Sequence, residues 1–178
     1  MQIAFWASTL LLATIGLAAA YRPMAVSAGN SISYAGESSK TQLEFRTRDG
    51  ARYIVSAERD STVSPNVKPS DIAVVGEVQG SVVILIDTYP SIPGGLAYCQ
   101  AGKERFLRVI SISKKPPEET IRVKLASWRD NIELASPGIE WLPESSTLHI
   151  HWLLGPATRQ KREELTVRIG SGGKTGGS

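Results

Sequence analysis

Hydrophobic and polar residues alternate with a period of two through most of the chain, in short runs, a pattern that predicts β-strands. The most apolar run beyond the N-terminal segment is Val82–Ile86. Its unbroken apolar character predicts a strand at the centre of a sheet with both faces covered. It lies within Asp71–Ser113, the stretch around which the rest of the chain is organised. There, Ile72–Gln79 and Val82–Thr88 read as a hairpin joined at Gly80 and Ser81, with glycine first in a two-residue type II′ turn. Pro90 ends the second strand, because proline donates nothing to a ladder.

An earlier hairpin spans Gln42–Ala57, with Asp49 and Gly50 suited to a type I′ turn. Leu43 and Phe45 alternate with Glu44 and Arg46, so one face of this pair is buried and the other wet. Beyond Arg105 the alternation predicts strands over Arg105–Ser113, Thr120–Ala126, Asn131–Ala135, Ile139–Leu142, Thr147–Leu154 and Leu165–Ile169. Pro116 with Pro117, Pro137 with Gly138, Pro143–Ser146 and Gly155 with Pro156 separate them. Short strands with proline and glycine turns define an all-β class, an antiparallel β-sandwich or barrel-like meander built from hairpins. The one helix candidate beyond the N-terminal segment is a short piece at Ala157–Glu164, which reads equally as loop. Tyr21–Lys40 reads as a loosely held arm with a short strand at Ser31–Tyr34, adding little to the core, and Glu58–Ser70 as a surface connection. Residues 41–170 form the single β domain, and 171–178 form a flexible Gly/Ser tail.

The N-terminal twenty residues change this picture. Met1–Ala20 is apolar, carries no charged side chain and ends in three alanines, which suits a cleaved secretory signal with cuts after Ala20 or Ala28. The alternative is an uncleaved anchor through residues 3–20, since no basic residue precedes the apolar core. A signal sends the chain to a bacterial periplasm or outside the cell. Cys99 is the single cysteine, so no internal disulfide forms and packing carries the stability. At 178 residues the chain has room for one domain, and a formal net charge of +3 is too small to argue for nucleic acid, so none is expected as a partner. The basic cluster of Arg159, Lys161 and Arg162 reads as a solvated loop.

Candidate chemistry is sparse. Gly173, Lys174 and Thr175 resemble the end of a phosphate-binding loop, but the earlier glycine and the following helix are missing. His149 and His151 share one face of a strand and could supply two metal ligands, with Cys99 or Glu140 as a third. Strand alternation explains the same pattern, with Leu148, Ile150 and Trp152 buried and both histidines on the wetter face. A thiolate at Cys99 paired with His149, its charge supported by Lys103 and Arg105, is the other catalytic arrangement, but nothing completes it. No serine occupies a nucleophile elbow.

The loop Tyr89–Arg105 is long, rich in proline and glycine, and carries apolar Ile92 and Leu96. Such loops are often functional, with Tyr89, Tyr98, Lys103, Glu104 and Arg105 as large or charged contact groups, and the loop reads equally as a structural crossover covering one open end of a sandwich. The expectation is an exported, non-enzymatic β domain without cofactor or metal. It binds a protein partner, as an immunity protein or inhibitor acting on a toxin or hydrolase does. The alternatives are a small metal- or thiol-dependent enzyme using His149, His151 and Cys99, and a structural envelope module.

Overall fold

The computed structural model describes residues 24–26, 29–35, 41–57, 60–63, 67–78, 80–92, 102–171 and 175–176. The N-terminal segment 1–20 lies outside them. Among the described residues the protein is all-β, and no helix is long and apolar enough to cross a membrane. The described residues form twelve strands in three antiparallel sheets of four. The first sheet holds β1 (Met24–Val26), β2 (Asn30–Tyr34), β3 (Thr41–Arg46) and β4 (Arg52–Ala57) in that order. The second holds β5 (Asp71–Val78), β6 (Val82–Pro90), β7 (Lys103–Ser111) and β8 (Glu118–Ser127), again in chain order. In the third the spatial order is β12 (Thr175–Gly176), β11 (Glu163–Ile169), β10 (Thr147–Leu154), β9 (Glu133–Leu142).

The second sheet lies between the other two in a sandwich-like stack. Alternate residues of β6 serve the two sides. Val83 and Leu85 pack with Ile72 and Ile110 against Ile32, Leu43, Phe45 and Val55 of the first sheet. Val82 and Ile84 pack with Leu107, Val109 and Leu125 against Leu148, Ile150, Trp152, Val167 and Ile169 of the third. Val82–Leu85 are buried without interruption, as expected of a strand covered on both faces. β1 lies beside β5 and β4 beside β8, so the first two sheets are stacked edge over edge. β9 starts beside β8, whereas its far end lays the indole of Trp141 on Gly76 of β5, so the third sheet runs obliquely across the second. A methyl group at position 76 would overlap that ring. Trp152 fastens the same two layers by donating its indole N–H to the carbonyl of Leu125 at 2.9 Å.

Several sequence expectations need correction. Residues within 21–40 do reach the core: Val26 on β1 and Ile32 on β2 are both buried. The connection 60–63 is not a surface element, because Thr62 and Val63 are buried, the latter against Tyr89 and Phe106. The turn at Gly50 is wider than type I′. Thr47 and Ala51 close it, the Gly50 N–H reaches the Thr47 carbonyl at 3.0 Å, and Gly50 rather than Asp49 takes positive φ, 89°. In the next hairpin Gly80, with φ 65°, stands third in a turn closed by the Ser81 N–H on the Val78 carbonyl, not first in a two-residue loop. Pro137 and Gly138 do not separate two strands but form a bulge inside β9, where register with β10 jumps between Ile150 and Trp152. β9 is an edge strand, where proline costs no ladder bond. Residues 157–162 form turns, not a helix: Glu163 accepts from the N–H groups of Ala157 and Thr158 and from the Thr158 hydroxyl. Thr175 pairs with Ile169, so part of the tail continues the third sheet.

Candidate functional site

The structure separates the residues singled out at Tyr89–Arg105. Tyr89 and Glu104 are fully buried and offer no surface contact. Both lie on the face of the second sheet that carries Phe106, where the connection 60–63 covers them. The Tyr89 hydroxyl donates to Asp87 Oδ2 at 2.6 Å. The Glu104 carboxylate accepts from the Ser91 hydroxyl at 2.6 Å, while the Thr62 hydroxyl lies between Glu104 and Asp60 at 3.0 and 2.8 Å. Lys103 is exposed and Arg105 half-buried. Tyr98 and Cys99 lie outside the described residues. Trp128, half-exposed over Gly102, stands near the same loop and had no signal in the sequence.

Two charged groups on that buried face are structural. Arg108 is 1% exposed; its guanidinium donates to Asp87 at 2.7 Å and to Glu119 at 2.7 Å, and lies 5.6 Å from the Phe106 ring centre. Burial opposes its charge, but the Asp87 and Glu119 carboxylates outweigh that and raise its pKa above the ordinary arginine value. Lys124 reaches Asp60 at 3.0 Å and Asp130 at 2.6 Å, tying the connection 60–63 to β8. Burial raises the Asp60 pKa, but the Thr62 N–H and Lys124 hold it below the usual carboxylate range. Arg108 links three strands within the second sheet, and Lys124 fastens that sheet to its cover.

His149 and His151 occupy the outward face of β10, with Leu148, Ile150 and Trp152 buried beneath. Their rings stack nearly parallel, 6.4 Å apart between centres. His149 Nδ1 lies 3.0 Å from the Thr166 hydroxyl and His151 Nδ1 3.4 Å from Glu164. Glu140 stands opposite His149 in register. The described residues contain no group of three such side chains placed to hold a metal ion.

A groove of about 550 Å³ opens elsewhere, between β4 and β8. Ile54 and Val55 line one wall and residues 117–122 of the other sheet line the opposite one. The register of β3 and β4 explains its composition. Tyr53 and Val55 stand opposite Phe45 and Leu43 on the core side, which leaves Arg52 and Ile54 opposite Arg46 and Glu44 on the outer side. Glu44 lies under Arg46 and Arg52, whose hydrogen bonds, that of Arg52 first, hold its carboxyl below the usual range. Ile54 has no such cover and is 46% exposed. Glu118 and Arg122, both exposed, stand on the β8 side.

The edges of the three sheets differ in how they meet solvent. β1 and β12 are three and two residues long. β5 is bulged between Val74 and Gly76, β8 is bulged twice, and β9 carries its bulge with Pro137. Short length, bulges and proline all discourage pairing with a further strand. β4 has none of these features: six residues in unbroken register with β3, and no described strand on its other side. Its signal was present in the sequence as an isoleucine at an outward position of an otherwise polar alternation, Arg52 and Ile54 against Tyr53 and Val55. The groove could not be read there, since it depends on which edges the stacking brings together.

Comparison of the chain with protein-family models, with curated proteins and with solved structures finds no match.

Proposed function

We propose that this chain is an exported, non-enzymatic β module that binds another protein by accepting an extended segment along the β4 edge. An inhibitor or immunity protein directed at a toxin or hydrolase in the periplasm is the form this takes. The observation that carries the reading is the contrast between β4 and the other sheet edges: β4 alone among the described strands is an edge of full length in unbroken register, and it borders a groove with exposed Ile54. Backbone N–H and C=O groups of such an edge supply affinity to an added strand, and pockets for alternate side chains supply selectivity. Export rests on the apolar, alanine-ending sequence of residues 1–20. This reading moves the interface from the loop after β6 to the cleft between the first and second sheets.

The test is selection of short peptides from a displayed random library against the purified protein. Binding of selected peptides should weaken at least tenfold in Ile54→Lys, equivalent to about 1.4 kcal/mol. It should be unchanged in Lys103→Ala and Trp128→Ala. Peptides indifferent to Ile54→Lys but lost with Trp128→Ala would return the interface to the loop.

A further inference from the structure

On the outer face of the third sheet, the layer remote from β4, we infer that His149 and His151 chelate a copper(II) ion through their Nε2 atoms. The strand supplies the spacing. Residues two apart on β10 point to one face about 6.5 Å from each other, and the place of β10 between β9 and β11 fixes what stands on either side of each ring. In register, His149 faces Thr166 and His151 faces Glu164 on β11, while Glu140 of β9 faces His149. The ring centres lie 6.4 Å apart with 10° between their planes, so the two imidazoles share one orientation.

That orientation is a second observation. Each Nδ1 is turned toward β11, in His149 to the Thr166 hydroxyl at 3.0 Å and in His151 to the Glu164 carboxylate at 3.4 Å. Both Nε2 atoms therefore point outward, away from β11. A carboxylate only accepts, so Glu164 favours the tautomer with the proton on Nδ1 and the lone pair on Nε2, and the Thr166 hydroxyl can accept from His149 in the same way. Histidines that bind metals are held like this, by an oxygen acceptor on the ring nitrogen that does not bind. Strand alternation explains why both histidines face solvent, but not why both present the same nitrogen.

The donor set selects the ion. Among the described residues no three His, Cys, Asp or Glu side chains are placed to hold a metal as they stand, so the protein offers two nitrogens first. Zinc takes three or four protein ligands, and two imidazoles underfill its site. Copper(II) accepts a square-planar set of nitrogen and oxygen and binds such ligands most tightly of the divalent series. The exposed Glu140, a cross-strand neighbour with its Cβ about 5 Å from that of His149, is the nearest oxygen donor, and water completes the set. Bonds of about 2 Å place the two nitrogens about 3 Å apart, so each ring leans toward the other when the ion binds. His151 is 39% exposed and His149 only partly buried, and side chains so placed change rotamer freely.

The experiment uses the purified, untagged protein carrying Cys99→Ser, so that the sole thiol neither competes for copper nor reduces it. Calorimetric titration with copper(II) should saturate at one ion per chain, and the electron paramagnetic resonance spectrum of that complex should show coupling to two imidazole nitrogens. His149→Ala and His151→Ala should each weaken binding at least tenfold, since either leaves a single nitrogen, and neither should move the thermal midpoint of the metal-free protein. Glu140→Gln should weaken binding by a smaller factor, and zinc should bind less tightly than copper(II). Ile54→Lys should leave copper binding unchanged, which separates this site from the β4 edge. Titration that never saturates at one ion, affinity retained in either alanine variant, or a spectrum without imidazole coupling overturns the inference.

Discussion

Replacing Arg108 with Met is the sharpest test of the buried charge cluster. The side chains of Arg108 and Asp87 are 1% and 0% exposed, and Glu119 is 12% exposed. Removing the guanidinium takes from Asp87 its 2.7 Å donor, and Oδ1 of that carboxylate has no hydrogen-bond partner among the described residues to begin with. The Tyr89 hydroxyl would remain as a donor to Oδ2. Breaking a buried ion pair from one side costs about 3–5 kcal/mol, because the charge left behind cannot rehydrate. For a chain of this length each kcal/mol shifts the thermal midpoint by about 2–4 °C, so the variant should melt about 6–20 °C lower. The double variant Asp87→Leu with Arg108→Met removes the fully buried pair and fills much of the space, leaving Glu119, 12% exposed, without its guanidinium, and exchanges of a buried pair are often neutral or stabilising. Urea denaturation of the two single variants and the double should therefore give a large coupling energy, with the double close to the unaltered protein. An Arg108→Met variant within about 0.5 kcal/mol of the parent, the usual range at exposed sites, would refute the burial of this cluster.

Two further outcomes follow from the same structure. Ile84→Ala should cost about 2–5 kcal/mol in equilibrium unfolding, since Ile84 is fully buried between the second and third sheets. The carboxyls of Glu44, Asp49, Asp60 and Glu163 all have folded pKa values below their ordinary values of 4.5 or 3.8. Each lowered carboxyl contributes stability that is fully present above its unfolded pKa and is lost as pH falls through the folded one. The thermal midpoint should thus hold from neutrality to about pH 5 and decline below about pH 4.

What the sequence made legible is local and periodic. The apolar run at Val82–Leu85 can satisfy its side chains only with cover on both faces, so its central place was readable without any partner in view. The wet face of β10 was readable for the same reason, since alternation alone assigns His149 and His151 outward. What depended on long-range contacts was not. Tyr89 and Glu104 look like loop contact groups until Thr62, Val63 and Ser91 close over them. Ile32 looks like part of a loose arm until Phe45 pairs beside it. Pro137 looks like a separator because the sequence does not say that β9 is an edge, the one setting in which a strand carries proline through a bulge. The β4 groove combines residues 54 and 55 with 117–122, and only the stacking of two sheets brings them together.

The central claim is that β4 is an edge built to be joined, and amide hydrogen exchange measures that directly. With the protein dilute and unliganded, the amides of Arg52–Ala57 that point away from β3 should exchange quickly while those bonded to β3 are protected. On addition of a selected peptide, protection should rise at alternate positions along β4 and leave the proline-containing bulge of β9 unchanged. Equal exchange along β4 that the peptide leaves unchanged would contradict the account.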